Sequence, residues 1–380
     1  MTAEAPPFLI AAVTGRALAE SAARGGHPVV VLDCFADRDT VAAARAAAAV
    51  AKPGTMHFDR TALLSRADAM APASGCAGLV VGAGFEGRRA LLSRLAAGRT
   101  LMGNPAPVVR AVKDPRRFFP LLDRIGIRYP DVRHTPPPAP AGWLVKKAGG
   151  AGGTHVGRAT DAAVGRGTYF QRLETGRVCS VLFLCDGHRA LVVGVNQQWT
   201  RSVGAARPFV YAGAAGGLVL PAALERDLRM RLDALVAATG LRGLAGLDFI
   251  WRDDAWLALE VNPRPTATLD LYDADFPRGL FDAHLQACAG RLPRVEAGGG
   301  VPPRARAHAI VAAEGPWRLP GEFTFPAWCR DLPQPGHAFT AGEPVCTVHA
   351  EASDTEAAVT ELRGRQRELE RLIAEARAAG

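Results

Sequence analysis

Two carboxylates and a carboxamide lie close together in the stretch from Leu244 to Arg264. Asp248 falls in one run of alternating apolar and polar residues, and Glu260 and Asn262 fall in the next run. Two such runs joined by a short polar segment predict a β-hairpin. Because a slip of one residue moves every side chain to the other face, the apolar sets share a face only in an even register. A three-residue loop at 253–255 satisfies that condition.

This register brings the three polar side chains together on one face. It places Asp248 opposite Glu260 with their Cβ atoms about 5 Å apart, and Asn262 on the same face roughly 7 Å along the strand. Like charges so placed repel each other unless a hard cation lies between them, and these oxygen ligands are ones that Mg²⁺ accepts. A solvent-facing hairpin is the alternative for the Asp and Glu alone, but the Asn-Pro-Arg sequence that follows favours a metal site. The predicted apolar face consists of Leu247, Phe249, Trp251, Leu257, Leu259 and Val261.

A lysine and a glycine-rich loop precede this hairpin in the chain. Residues 143–145 form an apolar run that predicts a strand, and the strand delivers Lys146 to the loop. Backbone N–H groups in such a loop can cradle phosphate oxygens, while the lysine supplies a point charge. The Walker A pattern is absent, and a flexible connection is the alternative interpretation of the loop alone. The loop glycines are Gly149, Gly150, Gly152 and Gly153.

The N-terminal part of the chain alternates between strand and helix patterns. This alternation predicts a parallel sheet covered by helices, which makes the domain Rossmann-like. The predicted elements are a strand at 8–13, a helix through Ala23, a strand at 29–32, an alanine-rich helix from Thr40 to Ala51, and a strand at 78–81.

A glycine motif after the last of these strands supports a rival function. Residues 82–87 read Gly-Ala-Gly-Phe-Glu-Gly, a GxGxxG sequence predicted to open a helix, which is typical of dinucleotide binding. The acidic residue expected about 20 residues later for the ribose is missing, because neither Asp nor Glu occurs between Glu86 and Asp114. The motif therefore leaves NAD(P) binding open without favouring it.

Composition excludes several classes of protein. The 380 residues, 48% hydrophobic and 22% charged, fit two or three globular domains. No apolar run approaches the roughly 18 residues of a membrane span, and the start lacks a basic segment, so no signal peptide is indicated and the cytoplasm is the default compartment. Seven scattered cysteines without a CxxC pair argue against a disulfide framework or a zinc site. The net charge of +8 is spread along the chain, which disfavours nucleic acid but suits anionic small molecules.

The glycine-rich loop, followed later in the chain by the hairpin, resembles the same arrangement in the ATP-grasp superfamily. That superfamily includes biotin carboxylase and D-alanine–D-alanine ligase. The resemblance implies that Asp248, Glu260 and Asn262 bind one or two Mg²⁺ ions of MgATP, which Mn²⁺ could replace. It implies that Arg264 faces the reacting phosphate and acyl group. It also implies that the glycine-rich loop is a flap that folds over the nucleotide, with Lys146 on a phosphate.

Three further positions follow from the resemblance. Residues 169–176 resemble the hinge between the two lobes that grip ATP, which implies that Gln171 and Leu173 meet the adenine edge. Glu174 would bind the ribose, or would be an exposed hinge carboxylate. Relatives often carry Asp-Lys before the next upstream helix, but here Pro115 follows Asp114. Lys113 or Arg116 would then hold the first phosphate, or would belong to a solvated helix start.

The implied fold class is α/β, with α+β ATP-binding lobes behind a Rossmann-like pre-ATP-grasp domain. The N-terminal domain would close on the active site, with its loops at 14–16 and 82–86 helping to bind the acceptor substrate. The predicted boundaries are 1–105 for that domain, 106–170 for the small lobe with the flap, 171–300 for the large lobe with the hairpin, and 301–380 for a small C-terminal addition ending in a helix.

The implied function is an ATP- and Mg²⁺-dependent ligase that activates a carboxylate as an acyl phosphate and joins it to an amine. The partners would be these small molecules, with neither nucleic acid nor membrane, and a homodimer is left open. Within the superfamily, the chain looks most like ligases of one-carbon carrier biosynthesis, of the methanofuran and tetrahydromethanopterin type, such as tyramine–glutamate ligase. The alternatives are an NAD(P)-dependent oxidoreductase and a non-catalytic nucleotide-binding module. For Arg264, the alternative is an ion pair with Asp270 or Asp273.

Overall fold

A computed structural model describes residues 5–161, 165–204, 207–294 and 304–379. The predicted boundary between residues 300 and 301 lies outside these ranges. None of the described helices is long and apolar enough to cross a membrane. All seven cysteines are in the described ranges, and each is a free thiol, as the sequence predicts.

The N-terminal domain contains a parallel sheet with strand order β3-β2-β1-β4. Its two central strands are rich in Val, Ile and Leu and almost wholly buried, as expected for a sheet covered on both faces. The predicted Rossmann-like arrangement is therefore confirmed. The elements are β1 (Phe8–Ala11), α1 (Arg16–Arg24), β2 (Val29–Asp33), α2 (Arg38–Ala43), β3 (Ala46–Ala49), α3 (Arg60–Met70), β4 (Gly78–Val81) and α4 (Arg89–Leu95).

Two local predictions in this domain are wrong. The alanine-rich segment does not form a helix from Thr40 to Ala51, because α2 ends at Ala43 and the next alanines form the edge strand β3. Backbone pairing with β2 outweighs the helix propensity of alanine, which is only a weak preference. The GxGxxG segment at 82–87 forms two turns, and α4 begins only at Arg89.

The next unit is the small lobe, whose antiparallel sheet has strand order β5-β8-β6-β7. Asp114 caps the second helix by accepting the N–H of Arg116 at 3.1 Å, and Pro115 takes the first helical position, where a missing N–H costs nothing. The elements are α5 (Ala106–Lys113), α6 (Pro115–Ile125), β5 (Val132–Arg133), β6 (Trp143–Lys147), β7 (Val156–Arg158) and β8 (Thr168–Arg172).

The remaining chain builds an antiparallel sheet, here called the large sheet, with strand order β13-β12-β9-β10-β11-β14-β18-β16 in the described residues. Strands β14 and β18, which lie within the predicted C-terminal addition, join this sheet: β14 pairs with β11, and β18 pairs with β14. The elements are β9 (Arg177–Asp186), β10 (Ala190–Arg201), β11 (Val210–Ala215), α7 (Ala222–Thr239), β12 (Arg242–Arg252), β13 (Ala255–Asn262), α8 (Gly279–Cys288), β14 (Ala305–Ala312), β15 (Trp317–Arg318), β16 (Cys329–Arg330), β17 (Ala338–Phe339), β18 (Pro344–Ala352) and α9 (Thr355–Ala379).

A buried arginine at the start of α1 joins the N-terminal domain to the rest of the chain. Arg16 donates two hydrogen bonds to the Asp270 carboxylate, at 2.7 and 2.6 Å, and a third to Asp331 at 3.1 Å. It also pairs with Glu20 at 3.0 Å. Because a bidentate arginine–carboxylate pair is directional, this network fixes how the domain meets the large sheet.

Carboxylates outnumber cations around this arginine. Asp39 accepts the backbone N–H of Asp331 at 2.7 Å, and Asp33 accepts three N–H groups from its own neighbourhood. Asp37 is only 7% exposed and makes no capping hydrogen bond at the start of α2. Burial, with the nearby charges of Asp331, Asp33 and Asp39, raises the pKa of Asp37 to about 8. The folded protein therefore favours the neutral form of this carboxyl.

This raised pKa predicts a pH-dependent loss of stability. A group whose folded pKa lies above its ordinary value of 3.8 stabilises the fold at low pH, and that contribution disappears as pH rises through about 8. We expect Asp37→Asn to raise the free energy of unfolding by about 2 kcal/mol or more near pH 9, and by clearly less near pH 5. Urea unfolding at both pH values measures the difference. An equal effect at both would show that Asp37 is ionised in the folded protein.

Candidate functional site

The predicted hairpin exists, and its key pair is confirmed. Asp248 pairs with Glu260 across β12 and β13, but Arg252 pairs with Ala255, so the turn has two residues rather than the predicted three at 253–255. A β-bulge between Asp248 and Phe249 shifts the register by one and restores the even pairing at the site.

The bulge also changes which side chains of the second arm face the core. Trp256 and Ala258 are buried against Phe249, whereas Leu257 and Leu259 are half-buried on the other face. The prediction for these two leucines is therefore wrong, while Val261, beyond the bulge, faces the core as predicted. One extra residue in one strand is enough to exchange the faces, because side chains alternate along a strand.

The three predicted metal ligands meet at one point, and a lysine lies on them. Asn262 donates its Nδ2 to Asp248 Oδ2 at 3.1 Å. Lys113 lies with Nζ 3.1 Å from Glu260 Oε2 and 3.0 Å from Asn262 Oδ1, and its side chain is 3% exposed. His155, just after the flap glycines, has Nε2 4.0 Å from Glu260 Oε2. The end of α5 therefore brings a cation directly to the hairpin.

The two carboxyl groups differ in their affinity for a proton. Burial and the charge of Glu260 raise the pKa of Asp248 to about 7. Burial alone would raise the pKa of Glu260 as well, but the charges of Lys113, His155 and Lys146 hold it well below its usual range. Asp248 therefore binds a proton more readily than Glu260 does.

The donor set suits a hard cation shared with a substrate. The described residues contain no group of three or more His, Cys, Asp or Glu side chains able to hold a metal by themselves. Two carboxylates and the Asn262 amide oxygen leave coordination positions for water and phosphate oxygens, which is how Mg²⁺ usually binds. These residues therefore fit an ion that arrives with a nucleotide.

Lys146 lies at the end of the small-lobe strand predicted to deliver it. It pairs with Tyr169 and Val156 in the sheet and is 6% exposed. Burial lowers the pKa of Lys146, while the charges of Glu260 and Asp248 oppose that shift. The lysine therefore faces the metal ligands from the opposite lobe.

The glycine-rich flap is packed down toward the large sheet. The carbonyl of Gly152 accepts the backbone N–H of Tyr211 at 3.1 Å. Gly149 and Gly153 have φ of +75° and +72°, and a Cβ at either position would meet the backbone of Gly87 or Phe209. Side chains are thus excluded at both, while Gly150 lies against the His155 ring.

The hinge holds one buried polar group without a partner. Gln171 is 0% exposed, and within the described residues neither Nε2 nor Oε1 makes a hydrogen bond. Gln171 pairs with Leu144 in β6, which lies two residues before Lys146. The side chains of Gln171 and Lys146 therefore lie on the same face of the sheet. Leu173 already donates its N–H to the Gly142 carbonyl at 2.9 Å.

Two of the hinge predictions therefore have competing contacts in the fold. The N–H of Leu173 is taken by a backbone carbonyl. Glu174 forms an ion pair with Arg252, with 3.3 Å between Oε2 and Nη1.

Arg264 follows the hairpin and reaches the N-terminal domain. Its Nε lies 2.5 Å from Glu86 Oε1, and its Nη1 donates to the Pro265 carbonyl at 2.9 Å. Glu86 is 4% exposed and also accepts the N–H of Gly84 at 2.8 Å. Burial opposes the ionisation of Glu86, yet Arg264 and Lys113 lower its pKa. The predicted alternative pairing of Arg264 with Asp270 or Asp273 is wrong, because those acids bind Arg16 and Arg24.

Strand register extends the polar site across the large sheet. Glu260 pairs with Asp248, Asp248 with Ser180, and Ser180 with Asn196. Two residues along β10, Gln198 pairs with Ala214, which pairs with His308, which pairs with His349. Paired residues in antiparallel strands share a face, so these positions form one row, here called the polar row. It consists of Glu260, Asp248, Ser180, Asn196, Gln198, Ala214, His308 and His349.

Only part of this arrangement is signalled in the sequence. Glu86 lies inside the GxGxxG motif and His155 lies two residues after the last flap glycine, so both could have been selected by position. Asp248 and Glu260 are predicted from the hairpin, but the other members of the polar row come from strands far apart in the chain, and nothing in their local patterns marks them.

Comparison with known proteins finds a family match over part of the chain. Residues 112–268 match the family model described as an ATP-grasp domain. The carbamoyl phosphate synthase large chain of Deinococcus radiodurans is 26% identical over 243 residues, which are 56% of this chain and 23% of that protein. The chain thus spans less than a quarter of the curated relatives it matches.

Solved structures resemble most of the chain. A biotin carboxylase–β-γ-ATP complex from Campylobacter jejuni has a TM-score of 0.69 at 14% identity, covering 93% of this chain and 89% of that one. An L-amino acid ligase from Bacillus licheniformis has a TM-score of 0.66 at 14% identity, covering 96% and 98%. The chain therefore has the ATP-grasp fold that the hairpin and flap predict, and its residues 112–268 match the ATP-grasp domain family model.

Proposed function

We propose that this protein is an ATP- and Mg²⁺-dependent ligase that joins a carboxylate to an amine with release of ADP and phosphate. The observation that carries the proposal is the convergence of Lys113 and the buried Lys146 on Asp248, Glu260 and Asn262. A buried carboxylate–amide set beside two lysines, placed under a glycine-rich flap, suits Mg²⁺ and the phosphates of MgATP. A biotin carboxylase and an L-amino acid ligase among the structural neighbours support this class.

In the proposed reaction, an oxygen of the substrate carboxylate attacks the γ-phosphorus, giving an acyl phosphate and ADP. The amine then attacks the acyl carbon, and phosphate leaves. Mg²⁺ held by Asp248, Glu260 and Asn262 would neutralise phosphate charge. Lys146 contributes a fixed positive charge, and the flap amides of Gly149, Gly152 and Gly153 orient the phosphates, while Gly150, whose N–H binds the Lys147 carbonyl at 3.2 Å, shapes the flap.

Arg264 supports both steps by stabilising negative charge on oxygen. Pro263 and Pro265 fix the backbone on either side of it, and Glu86 holds its Nε. The guanidinium therefore has little freedom to lose when a substrate binds, and its second terminal nitrogen is left for the reacting group.

Gln171 is the residue we propose for the adenine edge. A buried amide without a partner costs about 1–3 kcal/mol, and the donor and acceptor atoms of adenine would offset that cost. Leu173 and Glu174 stay weaker proposals, because both have contacts within the fold. Lys113 is proposed to act on the phosphates from the metal side.

A role in one-carbon carrier biosynthesis is the finer proposal. It rests on the Glu-Val-Asn-Pro-Arg-Pro-Thr run at 260–266 and on the alanine-rich β-α-β unit at the N-terminus, both of which resemble such ligases. The rival dinucleotide function is disfavoured because the GxGxxG segment forms turns before α4 instead of opening a helix, and its Glu86 carboxylate binds Arg264.

Isothermal titration combined with a phosphate-release assay tests the function. We expect Mg²⁺-dependent ADP binding, negligible NAD(P)H binding, and faster phosphate release from ATP with one carboxylate–amine pair of a substrate panel. NAD(P)H binding without ADP binding would overturn the proposal. ADP binding with no response to any carboxylate would favour the non-catalytic module.

Replacing Glu260 tests the metal site. Glu260→Gln keeps the shape but removes one charge, so we expect turnover to fall at least about 10²-fold with an unchanged unfolding midpoint. Steady-state kinetics over a Mg²⁺ series measures this. Glu225→Gln is the matched control, since that exposed glutamate only pairs with Arg229 at 2.8 Å on α7. Near-normal turnover of Glu260→Gln would mean that the hairpin is only structural.

Replacing Arg264 separates chemistry from nucleotide binding. Arg264→Lys keeps the charge but loses the planar fork, so kcat should fall by about 10²–10³ while ADP affinity changes little. Glu86→Gln removes the charge that holds the Arg264 guanidinium but leaves the guanidinium itself in place. It should therefore lower kcat less than Arg264→Lys does. Arg229→Lys on the exposed helix α7 serves as the control. If ADP binding weakens as much as kcat, Arg264 is a nucleotide-binding or structural residue.

A further inference from the structure

A tyrosine–histidine pair lies at the far end of the polar row. The hydroxyl of Tyr211 on β11 is 2.6 Å from Nε2 of His308 on β14, and their rings meet edge to face with centroids 6.1 Å apart. His308 is 2% exposed, and its Nδ1 has no hydrogen-bond partner among the described residues. The proposed phosphoryl and acyl transfer steps, as described above, use neither residue.

Other ionisable groups face His308 from every element packed around it. His349 lies directly opposite on β18, with ring centroids 5.7 Å apart. The Nε2 atom of His349 is 3.8 Å from the Asp270 carboxylate, which Arg16 also binds. Asp331, which also binds Arg16, is the second carboxylate whose charge acts on His308. A proton on His308 would thus sit near two carboxylates and one guanidinium.

Tyr211 connects this cluster to the reaction site. Its backbone N–H donates to the flap carbonyl of Gly152 at 3.1 Å, so the residue lies directly under the flap. Its strand, β11, is three strand spacings from the strand of Asp248, about 14 Å between backbones. That separation leaves room for a phosphate, an acyl carbon and an attacking nitrogen between the metal ligands and the tyrosine hydroxyl.

The two side chains have complementary proton states at neutral pH. Burial lowers the pKa of His308, and the charge of Asp270 only partly opposes this, so the imidazole is neutral. Burial raises the pKa of Tyr211, and the charges of Asp248 and Asp270 raise it further, so the phenol keeps its proton. The hydroxyl therefore donates to Nε2, which leaves a lone pair on its own oxygen able to accept a proton.

Resting on the ligase function proposed above, we propose that Tyr211 and His308 take the proton that the amine substrate must lose when it attacks the acyl phosphate. The amine arrives as an ammonium ion, and one of its N–H protons passes to the Tyr211 oxygen as the Tyr211 proton passes to His308 Nε2, which frees the nitrogen lone pair for attack. The C–N bond forms, the bond from the acyl carbon to the phosphate oxygen breaks, and phosphate leaves with that electron pair and takes up a second N–H proton. His308 becomes an imidazolium stabilised by Asp270, and releases its proton to water after the product leaves.

Comparing two nucleophiles tests this assignment. Hydroxylamine is largely unprotonated at neutral pH and traps acyl phosphates as hydroxamates without needing a base, whereas an alkyl amine is mostly ammonium. The assay uses the full chain with ATP, Mg²⁺ and a panel of L-amino acids as carboxylates, with hydroxylamine or alkyl amines as nucleophiles. The variants are Tyr211→Phe and His308→Gln, with His337→Gln as control, because His337 pairs with Glu343 at 2.8 Å away from the row.

We expect both variants to lose about 10²-fold or more in amide formation while keeping hydroxamate formation within a few-fold of wild type. The amide deficit should shrink as pH approaches the pKa of the amine, where free amine becomes abundant. Equal loss of hydroxamate and amide, or loss of neither, would overturn the assignment while leaving the ligase function intact. Absence of hydroxamate from wild type with every panel carboxylate would instead overturn the ligase function and, with it, this assignment.

Nuclear magnetic resonance of ¹⁵N-histidine-labelled protein gives a readout that does not depend on turnover. In nucleotide-free protein we expect His308 to be neutral at pH 7 with its proton on Nδ1, and to protonate below the ordinary pKa of 6.5. Tyr211→Phe should change the tautomer ratio of His308, because the donor to Nε2 is removed. A proton on Nε2 in the wild type, or an imidazolium at pH 7, would overturn the proposed direction of transfer.

Discussion

The structure is organised around the repulsion between Asp248 and Glu260, which the hairpin holds directly opposite each other. Neither carboxylate could be kept there ionised without positive charge nearby, because burial and like charge both favour protonation. Lys113 from α5 and Lys146 from the small lobe supply that charge from different sides. The pair therefore couples the two lobes electrostatically, and its carboxylate and amide oxygens can accept a cation.

The N-terminal domain is coupled to the same site by polar contacts. Asn104 donates to the carbonyls of Arg242 and Pro263, at 3.0 Å each, and so connects the domain link to both ends of the hairpin. Glu86 reaches Arg264, two residues beyond the last predicted metal ligand. Because each contact is directional and largely buried, a shift of this domain would move the arginine relative to the hairpin.

Sequence patterns predicted the pair Asp248–Glu260, but through two errors that cancel. The predicted loop has one residue too many, and the unpredicted bulge restores the register. Period-two patterning cannot reveal a bulge, since Leu257 and Leu259 are as apolar as the core residues they were taken for. The same limit applies to residues 46–49, where four alanines carry no period and only pairing with β2 makes them a strand. The fold class and the ligand types survive such errors because they depend on residue chemistry and order.

Beyond Asp248 and Glu260, the polar row could not be predicted, because it exists only in the register between strands distant in the chain. Its other polar members look locally like isolated polar residues, and a row of buried polar groups is costly unless its members bind one another. Here they do so in pieces: Asn196 binds Ser180 at 3.1 Å, Tyr272 binds Asn196 at 2.6 Å, and Gln198 approaches Asp248 at 3.4 Å. The large sheet thus carries hydrogen-bonding groups between a charged end and an imidazole end, interrupted at Ala214. A substrate lying along it would meet phosphate-binding groups at one end and proton-accepting groups at the other.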